Sequence, residues 1–299
     1  MITKSKRFIQ QVTTAKRLPV AAAEIDVDTV IRQIERITSV GALLAALEQL
    51  SRTGSKNNSD LLPWTIARVR FPFLDRPVGK VVSKAIAPPA DAAIPVVRLM
   101  AAARLLLGNP GRAERAALLA LLAGTSAAST VRTGGLGMDG SDQLALINFV
   151  VAGLEKLSGS DSRVRAACAH YVTAQSALSY LTSGLVKLAS PTWRSGAAIP
   201  GVLRTRTYGD RNFYEYVKDR PELAKLLAWT VIAGETLFPL LLVAPKPVAR
   251  AGVAAGAVFH LANGRYMGLN RFLWSFTGTY PAVEYSRRQL RARLGLGDS

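Results

Sequence analysis

The stretch that decides the fold is Ala166-Ala-Cys-Ala-His170-Tyr-Val-Thr173-Ala-Gln-Ser176-Ala-Leu-Ser-Tyr180-Leu-Thr-Ser183-Gly-Leu-Val-Lys187. From residue 166 to 186 it holds no Asp, Glu, Lys or Arg. A helix needs about 20 mostly apolar residues to cross a hydrocarbon layer about 30 Å thick, rising about 1.5 Å per residue. His170, Thr173, Ser176, Tyr180, Ser183 and Lys187 succeed one another at intervals of three, three, four, three and four residues. That spacing places all six on one helix face, opposite Val172, Leu178, Leu181 and Leu185. Such a stripe is costly in hydrocarbon unless it meets other helices or lines a cavity. Hydroxyls can be satisfied by their own backbone or a neighbouring helix. His170 and Lys187, at the two ends, make that account less sufficient.

Working outward, residues 226–245 carry one charged side chain, Glu235, and form a second clean span. Residues 116–131, 143–154 and 251–264 are shorter or interrupted spans. Ile94 to Leu107 contains Arg98 and Arg104, each costing roughly 2.5–3.5 kcal/mol at a helix centre. That segment spans only if both guanidiniums reach an interface, a cavity or a partner. Val27, Val30, Ile31, Ile34 and Ile37 recur at helical spacing behind Asp26 and Asp28, predicting a helix that runs to about Ser51. Asp60 to Ala90 is rich in proline and base. It reads as an interfacial segment with Trp64, Phe71 and Phe73 at headgroup depth, or as a small soluble subdomain. Tyr266 to Ala282 is expected to form a short span or an interfacial helix.

The expected fold is therefore all-α, a polytopic transmembrane bundle of about six to eight spans with interfacial helices. Its divisions are a basic arm at 1–25, one membrane domain at 26–283 and a basic, solvent-exposed tail at 284–299. The apolar run from Leu18 to Ala23 is too short to predict a cleavable export signal. Composition agrees: 38 Lys+Arg against 20 Asp+Glu give a net charge of +18, while charged residues are only 19% and hydrophobic ones 49%. A polyanion binder of that charge would be polar overall, so nucleic acid is not an expected partner. Basic loops against anionic lipid headgroups fit better, and place the protein in the cell membrane as a multi-pass chain. Cys168, alone, reads as a small buried residue.

Lys187 precedes Pro191 and Trp193, so one reading is a lysine reaching the headgroups beside an interfacial tryptophan. The other is a buried lysine whose neutral amine serves as a general base. Glu235 lies mid-span and must be protonated, paired or facing water. His260 and Asn263 share a face within an apolar segment, and can simply pair two helices. No two of His170, His260 and Glu235 have ligand spacing within a helix, so no metal is expected. There is no phosphate-binding glycine loop and no nucleophile elbow.

The run Tyr180-Leu-Thr-Ser-Gly-Leu-Val-Lys187-Leu-Ala-Ser-Pro-Thr-Trp193-Arg-Ser-Gly196 resembles the hallmark of the horizontally transferred transmembrane superfamily, that of the vitamin K-dependent gamma-carboxylase. Phe259-His260-Leu-Ala-Asn263 with Gly268 and Phe272 to Trp274 is similar to the family's second segment, and Gly140-Ser-Asp142-Gln143 is a third, weaker match. The resemblance covers about residues 30–285. Gln175, the Trp193 to Gly196 pattern and Tyr208-Gly209 look closest to the sporulation-delaying protein B branch, implicated in maturing a secreted peptide toxin.

The resemblance implies a membrane-embedded lysine that starts oxidation of a reduced, vitamin K-like quinone, a role that falls on Lys187. His260 and Asn263 match the family's second segment; a catalyst built on Lys187 would use Glu235 and His260 as polarising or proton-relay groups and Asn263 as an orienting group. His170, Thr173, Ser176, Tyr180, Ser183 and Trp193 would line the cavity. The family carboxylase has a histidine near the position of Asp142-Gln143 and a large following domain. This chain shows neither, which puts glutamate carboxylation in doubt. Two functions are thus expected. One is a membrane catalyst acting on a peptide or small substrate; the other is a non-catalytic accessory that binds a peptide or a small membrane partner during toxin maturation or export.

Overall fold

A computed structural model describes residues 26–51, 63–136, 139–159 and 161–297. The expected arm at 1–25 lies outside them. Among the described residues the regular structure is entirely helical, as the sequence predicts. The long elements are α1 (Val27–Ser51), α4 (Ala93–Leu107), α5 (Arg112–Arg132), α6 (Gly140–Leu157), α7 (Ser162–Ala189), α11 (Pro221–Leu237) and α12 (Lys246–Met267). Between α1 and α4 lie α2 (Trp64–Ala67) and α3 (Pro77–Ile86). Between α7 and α11 lie α8 (Pro191–Arg194), α9 (Ala198–Leu203) and α10 (Arg211–Val217). The chain closes with α13 (Asn270–Thr277) and α14 (Tyr280–Arg293).

Local chemistry sets several of these boundaries. Asp139 caps α6, accepting from the Ser141 and Asp142 N–H groups while Asp142 reaches back to the Asp139 N–H. Asp161 caps α7. Gly268, at φ 69°, ends α12 in the left-handed conformation that glycine adopts without a Cβ clash, and the Asn263 carbonyl accepts from its N–H. Pro239 turns α11 into a 3-10 segment, Phe238–Leu242, on the same axis run.

Helix α1 packs on α4, α5 on α6, α11 on α7 and α12 on α13. Val30, Ile31, Ile34, Leu119, Leu122, Phe149 and Val172 form one buried core. A second gathers Tyr180, Phe238, Phe276, Tyr280 and Val283 around the middle of α7. Val172, expected on the lipid or packing side of the stripe, is fully buried, whereas Leu178 and Leu185 face outward.

Charge is distributed against the usual order. Buried inside are Glu35, Arg115, Glu155, Lys156, Arg98 and Arg287, while Met100, Leu157, Leu178, Val186, Leu226 and Val258 are exposed. Arg115 grips Glu35 in a bidentate pair at 2.8 and 2.9 Å. Lys156 joins Glu155 and Asp28 at 2.7 Å, and Arg165 joins Glu155 at 2.6 Å. This network ties α1, α5, α6 and α7 at one end of the bundle. Arg104 pairs with Glu114, so both arginines of α4 have found the exits they require.

Among the described residues one segment, Pro221–Leu242, is long and apolar enough to cross a membrane. Of the other long helices α4, with 15 residues, is too short, and the rest, α7 with its polar stripe included, are not apolar enough over a span's length. Two expectations need correction. The tail at 284–299 is not a solvent-exposed extension: α14 runs across the 283/284 boundary, with Tyr285, Ser286, Arg287 and Arg291 buried. Arg287 and Arg291 donate to the carbonyls of Ala244 and Val243, satisfying the end of the 3-10 segment, so their charge is used inside. The segment 266–282 forms no single span, because it breaks into the end of α12, the eight-residue α13 and the start of α14.

Candidate functional site

Helix α7 carries the site, and a glycine sets its geometry. A Cβ on Gly184 would stand 2.5 Å from the Thr236 nitrogen and 2.9 Å from its Cα. Only glycine lets α7 and α11 cross this closely. One turn on, Lys187 Nζ donates to Glu235 Oε2 at 2.6 Å and to Ser183 Oγ at 2.5 Å. The two charged side chains are 18% and 9% exposed, so the pair is largely withdrawn from water. Trp193, placed by the Pro191 start of α8, sets its ring 5.2 Å from the ammonium. Gly196, at φ 86°, abuts the backbone of Lys225 and Ala224, which locks this turn onto α11. Lys187, Ser183, Glu235 and Trp193 are therefore one cluster.

Two turns back along α7, about 10 Å along the axis, Tyr180 forms a second cluster. Its hydroxyl lies 2.6 Å from His260 Nε2 and 2.8 Å from the Tyr280 hydroxyl. His260 is 2% exposed and its Nδ1 has no partner among the described residues. Phe276 stacks on the imidazole with centroids 4.5 Å apart, and Phe238 stacks on Tyr180 at 3.9 Å. A Cβ at Gly256 would come 2.5 Å from the Tyr280 oxygen. That glycine, one turn before His260, admits the tyrosine pair.

The clusters meet at a cavity of about 310 Å³ between α7, α11 and α12. Tyr180 and Glu235 enter its wall, which is otherwise mainly apolar and includes Val231, Leu237, Phe238 and Phe259. Leu237 is itself exposed, so the mouth lies on the outer face of the bundle. The volume falls at the lower end of the range usual for small-molecule sites.

The other stripe residues go elsewhere. Ser176 takes a hydrogen bond from Thr279, and Thr173 and His170 both bond Ser286 at 2.8 Å. These close the α7–α14 seam, which is the helix–helix role hydroxyls often play. His170 and Thr173 border a separate cavity of about 250 Å³ with Arg293 and Leu242. Asn263 is half-buried and lines neither cavity; its backbone carbonyl instead accepts from the Gly268 and Leu269 N–H groups. Sequence reasoning missed Tyr280, in a run that reads as a short span or interfacial helix, and Ser286, in a segment that looks like a charged tail. Comparison with protein-family models, with curated proteins and with solved structures finds no match for this chain.

Proposed function

We propose that the chain is a multi-pass membrane protein of about six to eight spans, and that it works as a membrane-embedded catalyst with Lys187 as its base. The inverted burial supports residence in lipid: leucine, valine and methionine face out, and paired arginine, lysine and glutamate face in. The helices from α1 to α12 named as long have 15 to 28 residues, or about 22–42 Å at about 1.5 Å per residue. From Arg165, in the ionic network, to Lys187 is 22 residues, about 33 Å and close to the hydrocarbon thickness.

The observation that carries the catalytic reading is the Lys187–Glu235 pair at 2.6 Å on the edge of an apolar cavity. At this distance the two form an ion pair, and in this reading the proton passes from Nζ to Oε2, leaving a neutral amine and a neutral carboxyl. The amine can then take a proton from a substrate group, and Glu235 can hand its own proton on. Tyr180, which also lines the cavity, is bonded to His260 and Tyr280 behind it and can serve as a relay. The cavity suits the ring and first isoprenoid carbons of a reduced, vitamin K-like quinone, which would supply the reducing equivalents for reaction with oxygen. This agrees with the resemblance to the vitamin K-dependent gamma-carboxylase superfamily, and leaves a peptide or small molecule as the acceptor. Asn263, expected as an orienting group, does not line this cavity.

A second reading rests on the same pair. A closed ion pair clamps α7 to α11, and a non-catalytic accessory for maturation or export of a secreted peptide toxin, like sporulation-delaying protein B, needs only the clamp. Two variants separate the readings. Lys187→Arg keeps the charge but removes a usable base, and the swap Lys187→Glu with Glu235→Lys keeps the pair. With purified protein, reduced vitamin K and oxygen, wild type forms the epoxide and both variants lose about 10²–10⁴-fold of the rate. No epoxide from wild type, or an undiminished rate in Lys187→Arg, defeats the catalytic reading. Toxin maturation retained by the swap supports the accessory one.

A further inference from the structure

A third cavity, of about 130 Å³ and partly polar, lies on the far side of α13, lined by α1, α4, α5, α6 and α13. About 10–15 Å³ is enough to hold one water, so this space takes a small polyatomic group. Arg98 reaches into it from the middle of α4 and is 5% exposed. Its Nη2 donates to the Thr125 carbonyl at 2.6 Å and to Ser129 Oγ at 2.8 Å, and Nε points at Thr125 Oγ1 at 3.5 Å. Nη1 has no partner among the described residues, nor does any carboxylate form an ion pair with Arg98 there.

The carboxylate that borders the chamber, Asp142, is already engaged. It accepts from Arg271 Nη1 at 2.5 Å and from the Asp139 N–H at 3.4 Å. Arg271 also pairs with Asp139 at 3.7 Å, so both aspartates at this end are taken up by Arg271 and Arg98 has no carboxylate of its own. A guanidinium so withdrawn from water, with no carboxylate in contact, favours an anionic partner. Donors are also left over. Ser129 Oγ accepts from Arg98 and keeps its own proton to give; Thr38 Oγ1 accepts from Asn148 at 3.1 Å and does the same. Ser275 borders the chamber as well.

We propose that this chamber binds a small oxyanion, a phosphate or carboxylate group held by Arg98 Nη1 with Ser129 and Thr38 completing the cradle. A guanidinium edge beside hydroxyl donors is the arrangement that recognises such oxygens. The group can belong to a lipid headgroup or to a free ion, and the chemistry is the same. The inference does not depend on the Lys187 reading, because α13 separates the two sites.

The test uses the full chain purified in detergent. Inorganic phosphate is titrated at constant ionic strength with chloride as control while the melting temperature is followed. In parallel, bound phosphatidylglycerol is counted by native mass spectrometry. A phosphate-dependent rise in melting temperature identifies a free anion; retained phosphatidylglycerol without a phosphate response identifies a headgroup. Either effect must vanish in Arg98→Met. That variant also loses the Nη2 bonds to Thr125 and Ser129, so each protein's response is read from its own ligand-free melting temperature. Ser129→Ala, which removes one donor, should weaken binding about tenfold, and serves if Arg98→Met does not fold. The proposal is overturned if neither probe binds wild type, if Arg98→Met binds as wild type does, or if Ser129→Ala leaves affinity unchanged.

Discussion

Placing alanine at Gly184 tests whether one close helix crossing holds the site together. The new Cβ would meet the Thr236 nitrogen at 2.5 Å, where ordinary contact begins at 3.4 Å, so α7 and α11 must part by about 0.9 Å. Added to the 2.6 Å Lys187–Glu235 hydrogen bond one turn away, that shift opens it to about 3.5 Å, past the useful range. Alanine gains about 0.8–1.0 kcal/mol over glycine in a helix. Against it stand about 1–3 kcal/mol for overpacking and about 1.5–3 kcal/mol for the charged hydrogen bond. The net is a destabilisation of about 2–5 kcal/mol. Gly124 in α5 has nothing within 4 Å of its Cβ position, so Gly124→Ala should stabilise slightly and is the control. The assay is thermal melting in detergent with amine-reactive labelling of Lys187 read by peptide mass spectrometry. Gly184→Ala should melt lower and label faster. If it melts with Gly124→Ala and labels as wild type does, the crossing does not position the pair.

Arg115→Met leaves the buried Glu35 facing a lost bidentate partner and should cost about 3–5 kcal/mol, whereas adding Glu35→Leu should recover most of it; chemical denaturation of the three proteins decides. A network worth nothing would leave all three alike. Tyr180→Phe keeps the stack on Phe238 but removes the hydrogen bonds to His260 and Tyr280, a loss of about 1–3 kcal/mol because both His260 nitrogens are then unpaired. A melt indistinguishable from wild type would show that water replaces the hydroxyl.

Much of this architecture is legible from local pattern alone. Helical periodicity finds each long element, because apolar spacing, aspartate caps and glycine stops are properties of neighbouring residues. The Lys187–Glu235 encounter is not local. Each residue stands out within its own span, but their meeting depends on Gly184, whose role is visible only when Thr236 is seen against it. The stripe on α7 announces a polar partner without naming one. Ser286, 113 residues beyond Thr173, lies in a segment whose arginines suggest a hydrated tail, and Tyr280, 100 residues beyond Tyr180, in a run that reads as a short span or interfacial helix. Arg287 and Arg291 reach Glu284 and the carbonyls that follow the 3-10 segment, a demand that no window of sequence reveals. Arg98 is the converse case: its cost in an apolar helix predicts a chamber or a partner, and a chamber is what α4 and α5 enclose.

Helix α13 shows why hydropathy alone misreads the region after His260. Eight residues rise about 12 Å, less than half the hydrocarbon thickness, so such a helix is stable at depth only where protein covers its ends. The cover is visible. At its start the Asn263 carbonyl accepts from Leu269, and at its end Gly278 and Thr279 donate to the Trp274 and Phe276 carbonyls. Its approach to α1 depends on missing side chains: a Cβ at Gly41 would stand 2.9 Å from Trp274 Cβ, and one at Gly278 would stand 2.5 Å from Thr38 Oγ1. Wedged there, α13 turns Phe272 and Phe276 toward His260 and Tyr180, and Arg271 and Ser275 toward the Arg98 chamber. A run punctuated by Gly268, Gly278 and Pro281 therefore makes a partition inside the bundle, with Tyr180 and His260 on one side of α13 and Arg98 on the other.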